Sequence, residues 1–305
     1  IIYEYLDIIK FMKNILHTSN IKSLKKIYQG KVRDIYEVDE NNILIISTDR
    51  VSVFDVVLPT PIPEKGIILN KVSNFWFKKF EGLVENHLSN INIQDLKISD
   101  DEYEQIEGRS VIVKKLKALP IESIVRSYLI GSGYSDYLSK GSICDIELPK
   151  DMKMASKLPN IIFTPSTKAE IGNHDININF TEMKKLIGDK ISKAVKDVSV
   201  KIFREAEDFL SNKDIILADT KFEFGLEDTG KLVLMDELLT PDSSRFWLSK
   251  SYEEGISPLS LDKQFIRDYV KSISWSDTMP APELPDDIVE KTFEKYKDLK
   301  KILIS

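Results

Sequence analysis

Residues 215–241 read IILADTKFEFGLEDTGKLVLMDELLTP. The first half, Leu217–Gly225, alternates strictly. Asp219, Lys221 and Glu223 stand two apart, with Thr220, Phe222 and Phe224 between them. A β-strand sends successive side chains to opposite faces, so three charges share one face and the two Phe enter the other. LEDTG then reads as the turn of a hairpin whose second strand is KLVLMDELLTP. In such a hairpin Lys221 lies roughly opposite Asp236, and Glu223 lies diagonally from Asp236 on the same face. Facing carboxylates repel unless a cation or proton sits between them. Mg²⁺ favours carboxylate oxygens completed by water and phosphate, so Glu223 and Asp236 are a candidate metal pair. The alternative is a solvated strand face, salt-bridged through Lys221 and Lys231.

Working outward, DELLTPDSSRFW places Asp236, Glu237, Asp242 and Arg245 within ten residues of one another. Arg245 beside two serines suits a phosphate, which guanidinium meets bidentately; it could equally stack on Phe246 or Trp247. Upstream, YQGKVRDIY sets Gly30 at a turn with Lys31 and Arg33 beside it. VRSYLIGSG carries Arg126 and then Gly131-Ser132-Gly133 ahead of a helix, and helix N-termini attract anions. FTPSTKAEIGNHD gathers Ser166, Thr167, Lys168, Glu170, His174 and Asp175 in one loop. No zinc pattern, nucleophile elbow or Ser–His–Asp spacing is present. Three basic, Gly- or Ser-bearing phosphate candidates plus one carboxylate pair suit phosphoryl transfer from a nucleotide, where catalysis is mainly positioning and charge neutralisation.

The whole chain agrees with such a scaffold. At 305 residues it can bury a large core, and its length favours two lobes. It is 42% hydrophobic and 30% charged, with net charge −6. That acidity argues against nucleic acid as a partner. The single cysteine, Cys144, excludes an internal disulfide and fits a reducing cytoplasm. The opening IIYEYLDIIKFMKNILH is broken by Glu4, Asp7 and Lys10, and reads as an amphipathic helix over 1–17 rather than a signal peptide or membrane span. Residues 25–49 read as an antiparallel meander, Ser110–Leu116 as a strand leaving the first lobe, and Thr181–Leu210 as a long helical region. Ser260–Ser305 reads as helical with a break at MPAPELP. The domain reading is a helical extension over 1–20, an antiparallel β-rich lobe over 21–115, and an α/β lobe with C-terminal helices over 116–305.

Five stretches, YQGKVRDIY, LPIESIVRSYLIGSG, FTPSTKAEIGNHD, LADTKFEFG and DELLTPDSSRFW, identify a resemblance. In this order they resemble the SAICAR synthetase family of purine biosynthesis, over about residues 25–250. The resemblance implies an α+β, two-lobed fold of kinase and ATP-grasp type, with ATP in an interlobe cleft. It implies an ATP-dependent ligase joining the carboxylate of carboxyaminoimidazole ribonucleotide (CAIR) to L-aspartate, with ADP and phosphate released. Gly30, Lys31 and Arg33 would steady the ATP phosphates, Lys114 and Leu116 would line the adenine site, and Glu122 would hold the ribose. Lys168 would reach the phosphates from the second lobe, and Glu223 and Asp236 would bind Mg²⁺. Arg126, Ser132, Asp219, Lys221 and Arg245 would meet CAIR, with Lys221 and Asp219 taking the catalytic roles. The loop Ser166–Asp175 is the expected place for aspartate. The longer form of the family, which FTPSTKAE and the C-terminal helices resemble, implies a monomer. The competing readings are a small-molecule or lipid kinase on a similar scaffold, and a nucleotide-binding regulatory module without ligase activity.

Overall fold

The computed structural model describes residues 15–168, 175–275 and 277–304. The helix expected over 1–17 therefore lies almost wholly outside the described residues. The chain divides into two compact units. The first comprises 1–75, 87–115 and 263–305, and the second 76–86 and 116–262.

In the first unit, β1 (Lys25–Gln29), β2 (Arg33–Glu37) and β3 (Asn42–Ser47) form the expected meander. A further strand, β4 (Ser110–Lys114), pairs antiparallel with β3, giving the order β1-β2-β3-β4. Between them in sequence run the helices α1 (Lys65–Lys79), which passes into the second unit at Trp76, and α2 (Asp100–Ile106). The sheet's buried face does not follow simple hydropathy. On β2 it is Asp34 and Tyr36 that point inward, while Ile35 is only half buried. Burial alone would raise the Asp34 carboxyl, but Arg50 and Ser19 donate to it and hold it below its ordinary value. Its inward position is stable because every oxygen is satisfied. Tyr36 packs with Ile21, Leu44, Ile46, Ile106 and Ile112 in the core beneath.

Helix α2 starts on a capping box. Ser99 accepts from the Glu102 amide and Glu102 accepts from the Ser99 amide. Glu102 also accepts from the Ser23 amide and hydroxyl, tying the segment before β1 to the helix. These bonds, Ser23 foremost, draw the Glu102 carboxyl down to about 2. A depressed acid contributes stability above its unfolded value and loses it as pH falls through the folded one. The wild type should therefore lose an increment of stability between about pH 5 and pH 2 that Glu102→Gln lacks. Denaturant melts across that range check it; parallel losses in both proteins would refute it.

The second unit is built on a seven-stranded sheet. Its strands include β5 (Ile121–Tyr128), β6 (Lys157–Phe163), β7 (Ser166–Thr167), β8 (Ile215–Leu226), β9 (Leu232–Met235) and β10 (Ser244–Leu248). β8 is the spine and pairs antiparallel with β5, β9 and β10. Its back face carries Phe222 and Phe224, both buried, as the alternation requires. Helix α3 (Gly131–Lys140) follows β5, starting three residues before the expected position near Tyr134. The helical region expected over Thr181–Leu210 is two helices, α4 (Phe180–Ile187) and α5 (Asp189–Ser211). They part at Gly188, whose φ of +85° ends the first by a conformation glycine adopts without strain. α5 packs against β8 with Val195, Ile202, Phe203, Ala206 and Leu210 inward.

The tail forms α6 (Gln264–Ser272) and α7 (Asp286–Ile304), either side of the Pro-rich stretch. The sequence reading put these helices with the second lobe, whereas the contacts place 263–305 in the first unit. The Leu284 amide donates to Thr60 Oγ1 (2.9 Å) and Lys263 Nζ to the Ser52 carbonyl (3.1 Å). Sequence order misleads here because a tail docks wherever its apolar stripe and backbone donors find partners. The chain passes from first to second unit between Lys115 and Leu116, and also between Phe75 and Trp76.

Candidate active site

The site rises from one face of β5 and β8. The register pairs Asp219 with Arg126, Lys221 with Ile124 and Phe222 with Ser123. Every second residue thus projects to the same side: Glu122 and Arg126 from one strand, Asp219, Lys221 and Glu223 from the other. β10 adds Arg245, paired in register with Asp219. The charges sort into two clusters along this face.

The first cluster is cationic. Arg126 is 2% exposed, and three of its five N–H donors are used within the protein. Its Nε donates to Thr164 Oγ1 (2.9 Å), one terminal nitrogen to Asp219 Oδ2 (3.0 Å) and the other to Ser132 Oγ (3.0 Å). Arg245 donates to the same Asp219 oxygen at 2.6 Å, while its buried Nε has no hydrogen-bond partner among the described residues. One carboxylate therefore organises two guanidiniums, and a net positive charge remains. Burial pulls Arg126 down from its ordinary value, and Arg245 adds to that pull; Asp219 opposes both. A second anion arriving between the guanidiniums would relieve this strain, which suits a phosphate. Arg245 is held by Asp219, not stacked on Phe246 or Trp247 as the alternative reading had it.

The second cluster surrounds Lys221. Its Nζ donates to Glu122 Oε1 (2.6 Å) and to Glu223 Oε1 (3.2 Å), and Lys168 donates to the other Glu223 oxygen. Burial would lower Lys221, but Glu223, Glu122 and Asp236 together raise it well above its ordinary value. Glu122 is pushed up, first by burial and further by Asp175 and Glu223, against the pull of Lys221. The solvated-face alternative holds for the Lys221–Glu223 salt bridge and fails otherwise. Glu223 is buried, and Lys231 pairs with Glu85 (2.8 Å), away from this face.

The hairpin register differs from the expected one by a residue. Glu223 pairs with Met235, so Asp236 is not opposite Lys221. A one-residue difference should flip Asp236 to the other face. It does not, because β9 ends at Met235 and Asp236 leaves the pleat with φ +72°. From there its carboxylate acts on Lys221. No group of three or more His, Cys, Asp or Glu converges as a ready-made metal cage among the described residues. Mg²⁺ does not require one, since one or two carboxylates plus phosphate oxygens suffice. Hard oxygen donors in excess over the two lysines fit that ion, with Lys168 and Lys221 holding Glu223 in the state described.

The remaining assignments fall as follows. In the first unit, the Gly30 amide donates to the Arg33 carbonyl (2.7 Å), closing the β1–β2 turn, and Lys31 ion-pairs with Asp55 (2.5 Å). Lys114 ends β4, where its amide donates to the His87 carbonyl (2.8 Å). In the second unit, Leu116 packs against Gly225 at the start of the chain's passage to β5. Of the expected aspartate loop, 169–174, which includes Glu170 and His174, lies outside the described residues. Sequence reading missed Thr164, the residue that fixes Arg126, and the Glu122–Lys221 bond. Thr164 stands in the quoted loop, directly before Pro165, but a neutral hydroxyl carries no charge pattern to single it out.

The model of the family described as SAICAR synthetase matches residues 26–282. A phosphoribosylaminoimidazole-succinocarboxamide synthase from Thioalkalivibrio sulfidiphilus is 49% identical over 287 residues, covering 94% of this chain and 97% of its own. One from Actinobacillus succinogenes is 50% identical over 276 residues, covering 90% and 96%. Among solved structures, SAICAR-synthase from Saccharomyces cerevisiae complexed with SAICAR aligns with a TM-score of 0.85 at 40% identity, covering 95% of this chain and 97% of its own. A SAICAR synthetase in complex with ADP aligns at 0.66 and 25% identity, covering 90% and 96%. The architecture is theirs, and the chain belongs to the SAICAR synthetase family.

Proposed function

We propose that the chain joins the carboxylate of CAIR to the amino group of L-aspartate, with ATP converted to ADP and phosphate. The observation that carries this reading is the juxtaposition on one strand. β8 presents a two-arginine anion pocket at Asp219 and a carboxylate–lysine cluster at Lys221 and Glu223, two and four residues along. A nucleotide-binding module needs only the second. A ligase that activates a phosphorylated substrate with ATP needs both.

A carboxylate is a poor acyl donor because its oxygen is a poor leaving group. Transfer of the ATP γ-phosphoryl to the CAIR carboxylate oxygen forms an acyl phosphate and releases ADP. The aspartate amine then attacks the carbonyl carbon, phosphate departs with the C–O bond electrons, and the nitrogen loses a proton. Arg126, Arg245 and Ser132 hold the CAIR phosphate. Asp219 fixes both guanidiniums through one oxygen and orients the substrate. Lys221 sits with its charge beside the transferring phosphoryl group, where a preformed cation is most effective. Glu122, already bonded to Lys221, is where the nucleotide's ribose approaches. Lys168 steadies the phosphates once it leaves Glu223; Gly30, Lys31 and Arg33 are assigned to the ATP phosphates and Lys114 and Leu116 to the adenine. Glu223 and Asp236 would hold Mg²⁺, which offsets developing phosphate charge when bound. The proposal includes a monomer working in the cytoplasm; among the described residues no helix is long and apolar enough to cross a membrane.

The test is ADP release from ATP, measured with and without CAIR and aspartate. The expected result is release that requires CAIR, with aspartate joined to the product. Release with CAIR phosphorylated and aspartate untouched would establish a kinase instead. No release in any combination would leave a binding module.

A further inference from the structure

The Gly131-Ser132-Gly133 stretch invites a reading as a phosphate loop, in which glycines free the backbone. The structure gives the glycines a different task. A Cβ on Gly131 would stand 2.5 Å from one terminal nitrogen of Arg245 and 3.0 Å from its Cζ. A Cβ on Gly133 would stand 3.1 Å from Ile143 Cδ1 and 3.3 Å from Arg126 Cδ and Nε. Each glycine therefore faces one of the two guanidiniums, and Ser132 between them bonds Arg126.

The two arginines would respond differently to crowding. Arg126 is pinned at three points, by Thr164, Asp219 and Ser132. Arg245 is pinned at Asp219, and its Nε lacks a partner among the described residues. The separation of 2.5 Å is one that real Cβ atoms do not tolerate, whereas 3.3 Å asks for a shift of tenths of an ångström. Crowding at Gly131 thus falls on the far end of a flexible side chain, that of the arginine with fewer anchors, so it is the Arg245 guanidinium that moves. Gly131 has φ +60°, at the first turn of α3.

We propose that Gly131 is a positioning residue for the phosphorylated substrate, acting by leaving room for the Arg245 guanidinium beside the start of α3. This rests on the ligase reading for the identity of that substrate. Displacing a guanidinium that binds ground state and transition state alike raises KM and leaves kcat nearly intact.

The experiment is a double-mutant cycle of Gly131→Ala with Arg245→Ala, read as KM and kcat for CAIR and as the calorimetric Kd of CAIR alone. Gly131→Ala should raise KM and Kd about 10-fold, with kcat within roughly threefold. In the Arg245→Ala background the same change should add less than about twofold, because the group it displaces is gone. Equal effects in both backgrounds, or no effect on Kd, would overturn the proposal and leave Gly131 with only a backbone role. Gly131→Asn runs in parallel. Asn accepts left-handed backbone more readily but carries the same Cβ, so it should show the same coupling even if Gly131→Ala folds poorly. A wild type that binds CAIR without turning it over would defeat the ligase reading, while the Kd cycle would still decide the role of Gly131.

Discussion

Glu223→Gln should fold normally and lose turnover by about 100-fold or more. The substitution keeps the shape of the side chain and removes one charge. In the wild type both carboxylate oxygens are engaged, one by Lys168 and the other by Lys221 at 3.2 Å. The amide can accept from only one of them, and its NH₂ faces the other as a donor. Lys221 retains Glu122 at 2.6 Å, so the cluster keeps a salt bridge and the fold keeps its Phe222 and Phe224 anchor behind the strand. What is lost is a preformed negative charge where a divalent cation and phosphate must meet. Losing one such group costs about 2.7–4 kcal/mol of transition-state stabilisation elsewhere, which sets the expected size. The check is steady-state turnover at saturating ATP and Mg²⁺, together with a thermal melt. A folded Glu223→Gln with near-normal turnover would remove Glu223 from the metal assignment.

How far the sequence could carry this is visible on β8 itself. Alternation identified which residues share the active face, because a period of two is enforced by strand geometry and needs no tertiary information. It also placed the Phe pair correctly. The hairpin register was beyond it. The turn at Glu227–Lys231 and the left-handed step at Asp236 together decide whether Asp236 reaches Lys221, and neither is written in hydropathy. The reading brought Asp236 to Lys221 through a register one residue away. Pairings over long separations were equally hidden. Arg126 meets Asp219 across 93 residues and Lys221 meets Glu122 across 99, joined only because β5 and β8 are adjacent strands. Asp34 was invisible as a core residue, since its burial depends on Arg50 and Ser19 arriving from elsewhere. The tail helices were placed in the wrong unit for the same reason: docking is decided by partners, not by order along the chain.

Lys221→Met should be both inactive and pH-sensitive in stability. Lys221 is the charge shared by Glu122, Glu223 and Asp236. Its removal leaves these carboxylates facing one another with Lys168 as the nearest remaining cation, bonded to Glu223. Stripping one partner from a buried ion pair costs about 3–5 kcal/mol. The Lys221 side chain keeps 30% exposure, so solvent screening reduces this to about 2 kcal/mol near neutral pH. Glu122 is already raised in the wild type, by burial first and by its acidic neighbours next. Without the ammonium its upward shift must grow, since Lys221 is the influence opposing it. A carboxyl whose folded value is raised contributes stability below its unfolded value and loses it as pH rises through the folded one. The variant should therefore approach wild-type stability near about pH 4, where Glu122 is protonated, and fall away towards about pH 8. Lys221→Arg, which keeps the charge, should show no such pH-dependent gap. Denaturant melts of the three proteins across this range decide the matter, and a wild-type-to-Met gap that stays constant with pH would mean that Lys221 is not the counter-charge of this cluster. Turnover of Lys221→Met should fall by about 1,000-fold at every pH, because protonating Glu122 does not return the cation to the transferring phosphoryl group.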